Sequence, residues 1–318
     1  MLEQFQSYMD ALDIPASPAG LYAPVRYALS LGGKRMRPLL LMLAYSIYRD
    51  DIEKTFDAAC GIEVFHNFTL LHDDVMDKAD MRRGMPTVHR KWNENTAILS
   101  GDGMVLLAYR CLNRIPSDFR ERVMRIADKA FLEVAEGQQY DMDFEQRTDV
   151  TESEYMEMIR LKTSVLPAAS LEIGAVLGGA TQYDSESLYR FGEKMGLAFQ
   201  LQDDLLDVYG NPEVFGKKIG GDIVCNKKTY LYIKARNLAD RSVNAELDRW
   251  AVYDGGDDHK KVAAVRDIYD RLGVGRLCRE RIVSLFGEAM DCVKSMDVDS
   301  GRLAALTGYV SGLIDREI

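Results

Sequence analysis

The chain has 318 residues, 47% of them hydrophobic and 28% charged, a balance that supplies a large core and excludes a disordered polypeptide. Its formal net charge of −10 and pI near 5.1 exclude the broad cationic surface that a phosphate backbone demands, so no nucleic-acid partner is expected. Cys60, Cys111, Cys225, Cys278 and Cys292 form no CxxC pair and are read as reduced, buried thiols, while the absence of a basic-then-apolar leader and of about 18 consecutive apolar residues predicts a cytoplasmic chain with no transmembrane segment.

Along the chain, apolar residues recur every three or four positions, as in Ala58, Ile62, Phe65 and Phe68, and do not alternate. Helices are therefore predicted over 2–12, 20–30, 37–49, 52–78, 91–113, 117–138, 152–178, 183–209, 227–238, 241–252, 258–272, 274–294 and 298–316. Pro38, Pro86, Pro116 and Pro212 stand where helices should begin or break. No Pro/Gly/Ser-rich linker interrupts the series, so residues 1–318 are read as one all-α domain, a helical bundle. The spans 52–78, 152–178 and 183–209 would be rods of roughly 40 Å, long enough to surround a deep central cavity.

Two of these rods end in the same acidic pattern: Asp73, Asp74 and Asp77 in LLHDDVMD, and Asp203, Asp204 and Asp207 in FQLQDDLLD. In each, about 100° of rotation per residue brings the three carboxylates within an arc of roughly 100° on one helix face. A single DDxxD is most often a solvated surface. Two copies beside apolar runs such as FHNFTLL and GLAFQLQ are poorly explained by stability alone, because unpaired carboxylates near a core are costly. Carboxylate oxygens suit Mg²⁺, which usually takes one or two of them together with substrate phosphates and water.

The basic residues are also grouped: Lys34, Arg35 and Arg37 in GGKRMRP, Arg82 and Arg83 in DMRRG, Lys162 in LKT, then Lys217, Lys218, Lys227 and Lys228. Gly32 and Gly33 let backbone approach an anion, Lys34 offers a point charge and Arg37 a fork matched to phosphate oxygens, which suits a diphosphate bound without metal. His66 lies seven residues before Asp73, on the same helix face. His72 is read as structural.

In order, GGKRMRP, HNFTLLHDDVMDKADMRRGMPTVH, GQQYD, LKT, FQLQDDLLD and GKKIGGDIVCNKKT make residues 30–230 resemble the trans-isoprenyl diphosphate synthases, the family of farnesyl and geranylgeranyl diphosphate synthases. Asn93 departs from a commoner glycine. The resemblance implies an isoprenoid-synthase fold, a homodimer, and head-to-tail condensation of isopentenyl diphosphate with an allylic diphosphate to give a C15–C20 all-trans product. It implies three Mg²⁺ held with the allylic diphosphate by Asp73, Asp74, Asp77, Asp203 and Asp207, of which Asp73, Asp77 and Asp203 are the principal ligands. Arg82, Lys162, Lys227 and one of Lys217 and Lys218 complete the charge around that diphosphate. Thr163, Gln200 and the Lys162 carbonyl would stabilise the allylic cation, and Gln138 and Asp141 would support the metal's water shell. Lys34, Arg37, His66 and Arg83 would hold isopentenyl diphosphate, and departing pyrophosphate would take the final proton.

The same resemblance makes residues four and five before the first aspartates set product length. Phe68 is bulky and would form part of a floor about 7.5 Å of helix from Asp73, while Thr69 is small, which favours C20. Met104 or Leu107 on a facing helix would complete the floor. A terpene cyclase would replace the second aspartate cluster and lack the GGKRMRP site, and an HD-type phosphohydrolase would need more than the four histidines present. A non-catalytic partner subunit would have lost one cluster.

Overall fold

A computed structural model describes residues 1–210 and 219–314. Its first helices are α1 Leu2–Asp10, α2 Ala19–Ser30, α3 Met36–Ser46, α4 Phe56–Met76, α5 Val88–Lys91 and α6 Glu94–Leu112. Then come α7 Ser117–Glu145, α8 Glu152–Ile159, α9 Val165–Gly178, α10 Gln182–Tyr209, α11 Gly221–Val224, α12 Tyr230–Leu238, α13 Arg241–Ala251, α14 Asp258–Leu272, α15 Val274–Val293 and α16 Ser300–Ile314. Among the described residues the only strands are β1 Met81–Arg82 and β2 Met85–Pro86, an antiparallel pair with Met81 opposite Pro86 and Arg82 opposite Met85. The expected all-α class is what is found.

The residues group into two compact units, each discontinuous in sequence. The first comprises 1–131, 169–189 and 297–306, and the second 132–168, 190–296 and 307–318.

In the first unit, α4 packs on α6 and α3. Residues 58–65 of α4 are buried on every side, which accounts for a sequence there that is apolar around the whole helix. Close approach is set by glycine: a Cβ on Gly61 would lie 2.8 Å from Leu112 Cγ, and one on Gly174 would lie 2.1 Å from the Leu41 carbonyl oxygen. Asn93 is the N-cap of α6 and accepts from Thr96 N at 2.8 Å, so the departure from glycine supplies a helix cap.

The second unit has its own core, in which Leu197, Leu201 and Leu205 of α10 meet Leu231, Leu247, Ile268, Val274 and Leu285. Thr151 and Glu154 form a reciprocal capping box that starts α8.

The structure departs from the expected helix limits at particular places. The span 52–78 begins as a 3₁₀ turn over Ile52–Thr55, and 117–138 continues to Glu145. A hairpin occupies 81–86, where Arg83 (φ 53°) and Gly84 (φ 76°) take the two left-handed positions of a tight turn. The long helix 152–178 is interrupted by a π-helical turn over Arg160–Ser164. Cys225 is exposed and Cys292 partly so, whereas Cys60, Cys111 and Cys278 are buried as expected.

Candidate active site

In the first unit, α4 delivers the acidic motif and α3 begins at the basic one. Arg35 takes a left-handed backbone conformation (φ 47°) as the N-cap of α3, directly after Gly32 (φ 76°) and Gly33 (φ 132°). Its guanidinium pairs with Glu63 at 2.6 Å and donates to the Leu29 carbonyl at 3.0 Å, and both side chains of the pair are buried. Asn67 Nδ2 also reaches Glu63 Oε1, at 3.0 Å. This pair fixes the loop that leads into α3, on whose first turn Arg37 lies.

Arg37 Nη1 lies 3.0 Å from His66 Nε2, and its Nε is buried without a hydrogen-bond partner. Arg83 Nη1 donates to the Gly32 carbonyl, and its guanidinium takes the space of a Cβ at Gly33, where the positive φ (132°) favours glycine. Burial, then the charges of Arg37, Arg83, Arg82 and Arg35, hold His66 well below the usual imidazole range, so it is neutral. Burial likewise lowers Arg37 to about 10. Glu63 engages Arg35 and Asp74 engages Arg82, which leaves Arg37 and Arg83 as a surplus of positive charge around the imidazole. Such a surplus is a place for an anion. Lys34 is exposed on the same loop.

The aspartates of the first motif are not equivalent. Asp73 is partly exposed, Asp77 is exposed at the C-cap of α4, and Asp74 is buried. Arg82 Nε lies 2.8 Å from both Asp74 oxygens, and Arg82 Nη2 is 3.9 Å from Asp73. Asp74 was expected to face the same way as its neighbours, but positions one and five of the motif lie about 40° apart on a helix while position two lies about 100° from the first. Asp74 is therefore turned into the protein, where it anchors Arg82. His72 Nε2 meets the Ile98 carbonyl at 3.0 Å in space that Gly101 leaves open, a structural placement. Phe68 packs edge-on to His72, with ring centroids 4.6 Å apart, and against Phe65, which stacks on Phe131.

The second unit repeats the pattern on α10. Asp203 and Asp207 are partly exposed and Asp204 is buried. Asp207 Oδ2 accepts from Asp222 N at 3.0 Å, and its carbonyl accepts from Gly220 N at 2.6 Å, which ties the GGDIV turn to the motif. Asp204 accepts from the buried hydroxyl of Tyr155 and, at 3.0 Å, from Gln200 Nε2. Burial raises Asp204 to about 7, against the hydrogen bond from Tyr155.

A cavity of about 630 Å³ in this unit is lined by Lys162, Thr163, Gln200, Lys227 and Lys228 together with Asp141, Tyr155, Asp204 and Asp222. Lys162 and Thr163 reach it from the π turn, whose extra residue changes the facing of everything after Arg160. Two glycines clamp that turn. A Cβ on Gly137 of α7 would lie 2.3 Å from Lys162 N, and one on Gly196 of α10 would lie 2.7 Å from Ser164 Cα. Thr163 Oγ1 donates to Gln200 Oε1 at 3.1 Å, and Lys162 Nζ rests 2.5 Å from Asp141 Oδ2. Lys217 and Lys218 lie outside the described residues.

The sequence reading missed Glu63, Tyr155 and Asp222. Glu63 carried a signal, a lone charge in the apolar run GIEVF, and Tyr155 stands two helical turns before Lys162. Among the described residues no three acidic, histidine or cysteine side chains converge into a metal cage of their own. Pairs of carboxylates one turn apart and at least partly exposed do suit Mg²⁺, whose remaining ligands are substrate phosphates and water.

A family model described as polyprenyl synthetase matches residues 18–272. The geranylgeranyl diphosphate synthase of Methanosarcina mazei is 46% identical over 221 residues, 69% of this chain and 68% of that one. A short chain isoprenyl diphosphate synthase of Methanocaldococcus jannaschii is 41% identical over 246 residues, 77% of this chain and 73% of its own. A crystal structure of a geranylgeranyl pyrophosphate synthase superimposes with a TM-score of 0.92 at 41% identity, covering 100% of this chain and 97% of that one.

Proposed function

The chain belongs to the polyprenyl synthetase family, and from that premise we propose that it condenses isopentenyl diphosphate head to tail with an allylic diphosphate, releasing pyrophosphate and a short-chain all-trans prenyl diphosphate. It is a prenyltransferase with the all-α isoprenoid-synthase fold. The observation that carries the chemistry is the cavity that gathers Lys162, Thr163, Gln200 and Lys227, residues up to 65 positions apart, into one place with ammonium groups and neutral oxygen dipoles.

In this reading Lys162 and Lys227 bind the allylic diphosphate, and Thr163 and Gln200 direct their oxygens at the carbon that becomes positive when the C–O bond breaks. Lys162 leaves Asp141 to do so. Asp73, Asp77, Asp203 and Asp207 are the proposed Mg²⁺ ligands, three ions in all, while Asp74 anchors Arg82. When bound, the ions neutralise diphosphate oxygens and make pyrophosphate a better leaving group. Arg37, Arg83 and Lys34 hold isopentenyl diphosphate, with neutral His66 as a hydrogen-bonding partner of Arg37. The surplus guanidinium charge there supports this over a cyclase, which has no second diphosphate to bind, and the retention of both acidic motifs supports it over a non-catalytic subunit.

We also propose C20 as the main product, since Thr69 beside Phe68 leaves room and two of the relatives above carry that product in their names. The chain is proposed to act as one domain, as a cytoplasmic homodimer; among the described residues no helix is long and apolar enough to cross a membrane. The test is incubation with Mg²⁺, isopentenyl diphosphate and dimethylallyl, geranyl or farnesyl diphosphate, followed by product identification. Asp73→Ala and Asp203→Ala should each abolish condensation with the helical signal intact. Activity within about tenfold of the parent in either variant would overturn the ligand assignment.

A further inference from the structure

The second acidic motif contains a carboxylate that is buried at the wall of the cavity. Asp204 is 3% exposed, and both of its oxygens are occupied, Oδ2 by the Tyr155 hydroxyl and Oδ1 by Gln200 Nε2. Tyr155 is likewise 3% exposed and reaches this carboxylate from α8, directly before the π turn. With the Tyr155 hydroxyl donating to Oδ2, Oδ1 is left as the acceptor that faces Gln200. The Gln200 amide must therefore turn its NH₂ to Asp204, which leaves its carbonyl oxygen on the other side, where it accepts from Thr163 Oγ1 at 3.1 Å and lines the cavity with it. Without Asp204 nothing in this geometry would distinguish the two ends of the amide, and a reversed Gln200 would present N–H dipoles to a site where positive charge develops.

We propose that Tyr155 and Asp204 are positioning residues that fix the polarity of Gln200, so that its carbonyl oxygen, and through it the Thr163 hydroxyl, faces the reacting allylic carbon. This rests on the prenyl-transfer reading above. The π turn gives the arrangement its precision: Gly137 and Gly196 hold it from both sides, so Thr163 has little freedom to compensate if Gln200 reverses. Tyr155 keeps Asp204 from rotating away, because its hydroxyl holds the oxygen that Gln200 does not use.

The experiment uses the full chain and four variants: Tyr155→Phe, Asp204→Asn, Gln200→Leu, and Asp204→Asn combined with Gln200→Leu. Asp204→Asn offers Gln200 a donor as well as an acceptor and so permits the reversed amide. It should lower kcat by about 10- to 100-fold, with KM for both diphosphates within about twofold of the parent. Tyr155→Phe, which removes one oxygen and keeps the ring, should lower kcat in the same direction by less. In the double variant, the loss from Asp204→Asn should largely vanish, because the residue it acts through is already gone. Additive losses in that cycle, or a rise in KM with kcat unchanged, would overturn the proposal. A parallel cycle on urea midpoints of the substrate-free protein reads the same coupling without turnover. Coupled midpoints in a parent that makes no prenyl product would refute the activity while leaving the hydrogen-bonded relay standing, and additive midpoints would refute the relay itself.

Discussion

Replacing Gly137 by Ala should damage stability and turnover together, and replacing Gly287 by Ala should do neither. A Cβ at Gly137 would lie 2.3 Å from Lys162 N, 2.7 Å from Lys162 Cα and 2.8 Å from Leu161 C, against an ordinary contact of 3.4–4 Å. All three neighbours are backbone, so no side chain can swing aside, and α7 must part from the π turn by about 1 Å. Overpacking of this kind costs about 1–3 kcal/mol, after any gain from the better helix propensity of alanine. For 318 residues at about 2.1 cal/mol/K each, that is a fall in Tm of about 2–5 °C. A shift of about 1 Å at Lys162 and Thr163 should lower kcat by on the order of 100-fold. At Gly287, within α15, a Cβ meets nothing within 4 Å, so alanine should add about 1 kcal/mol and leave turnover unchanged. Thermal melts and steady-state rates of the two variants, side by side, are the assay. If Gly137→Ala melts with the parent and turns over within about threefold of it, the clamp on the π turn is not what positions Lys162.

Arg37→Ala should raise KM for isopentenyl diphosphate by at least about tenfold and that of the allylic substrate far less; equal losses would dissolve the division of the two diphosphates between separate cationic groups. His66 is held below its unfolded value of about 6.5, so the folded state stays neutral while the unfolded chain takes up a proton as pH falls. Its penalty is absent above that pH and grows below it. Between pH 7.5 and 5.5 the parent should lose about 1.4 kcal/mol through this group, a loss missing from His66→Gln; parallel urea-stability profiles of the two proteins would refute it. Phe68→Ala should lengthen the product distribution, read by chain-length analysis, at a stability cost of about 3 kcal/mol, and an unchanged distribution in a folded variant would place the floor elsewhere.

Much of this was legible in the sequence because the signals were periodic or clustered. The apolar spacing gave the long helices, and identical DDxxD motifs beside apolar runs gave the acidic sites. What was not legible depends on exceptions to regular geometry. The π turn at RLKTS has no compositional mark, since its residues suit an ordinary helix, and Gly137 and Gly196, which approach it closely, stand far from it in sequence. The hairpin at 81–86 is too short for alternation to show, and its signal was the Arg83–Gly84 pair at the turn. The buried Arg35–Glu63 pair was hidden because Arg35 sits among exposed-looking basic residues, and tertiary packing alone tells it from Lys34.

The two acidic motifs look interchangeable on paper, and their buried aspartates show why they are not. A helix carrying carboxylates at positions one, two and five can present the first and last to a ligand but must turn the second about 100° away. A second carboxylate so placed needs donors within the protein, since an unpaired buried charge is expensive. Asp74 takes a cation, Arg82, which opposes the upward pull of burial on its carboxyl. Asp204 takes two neutral donors, Tyr155 and Gln200, which compensate burial less completely, and it rises to about 7. The first arrangement ties a guanidinium beside Asp73, adding positive charge where a diphosphate is expected. The second spends no cation and instead sets the direction of an amide beside Thr163, where a neutral dipole is the more useful group. One five-residue pattern thus serves two chemistries, and the difference lies wholly in what its second residue meets.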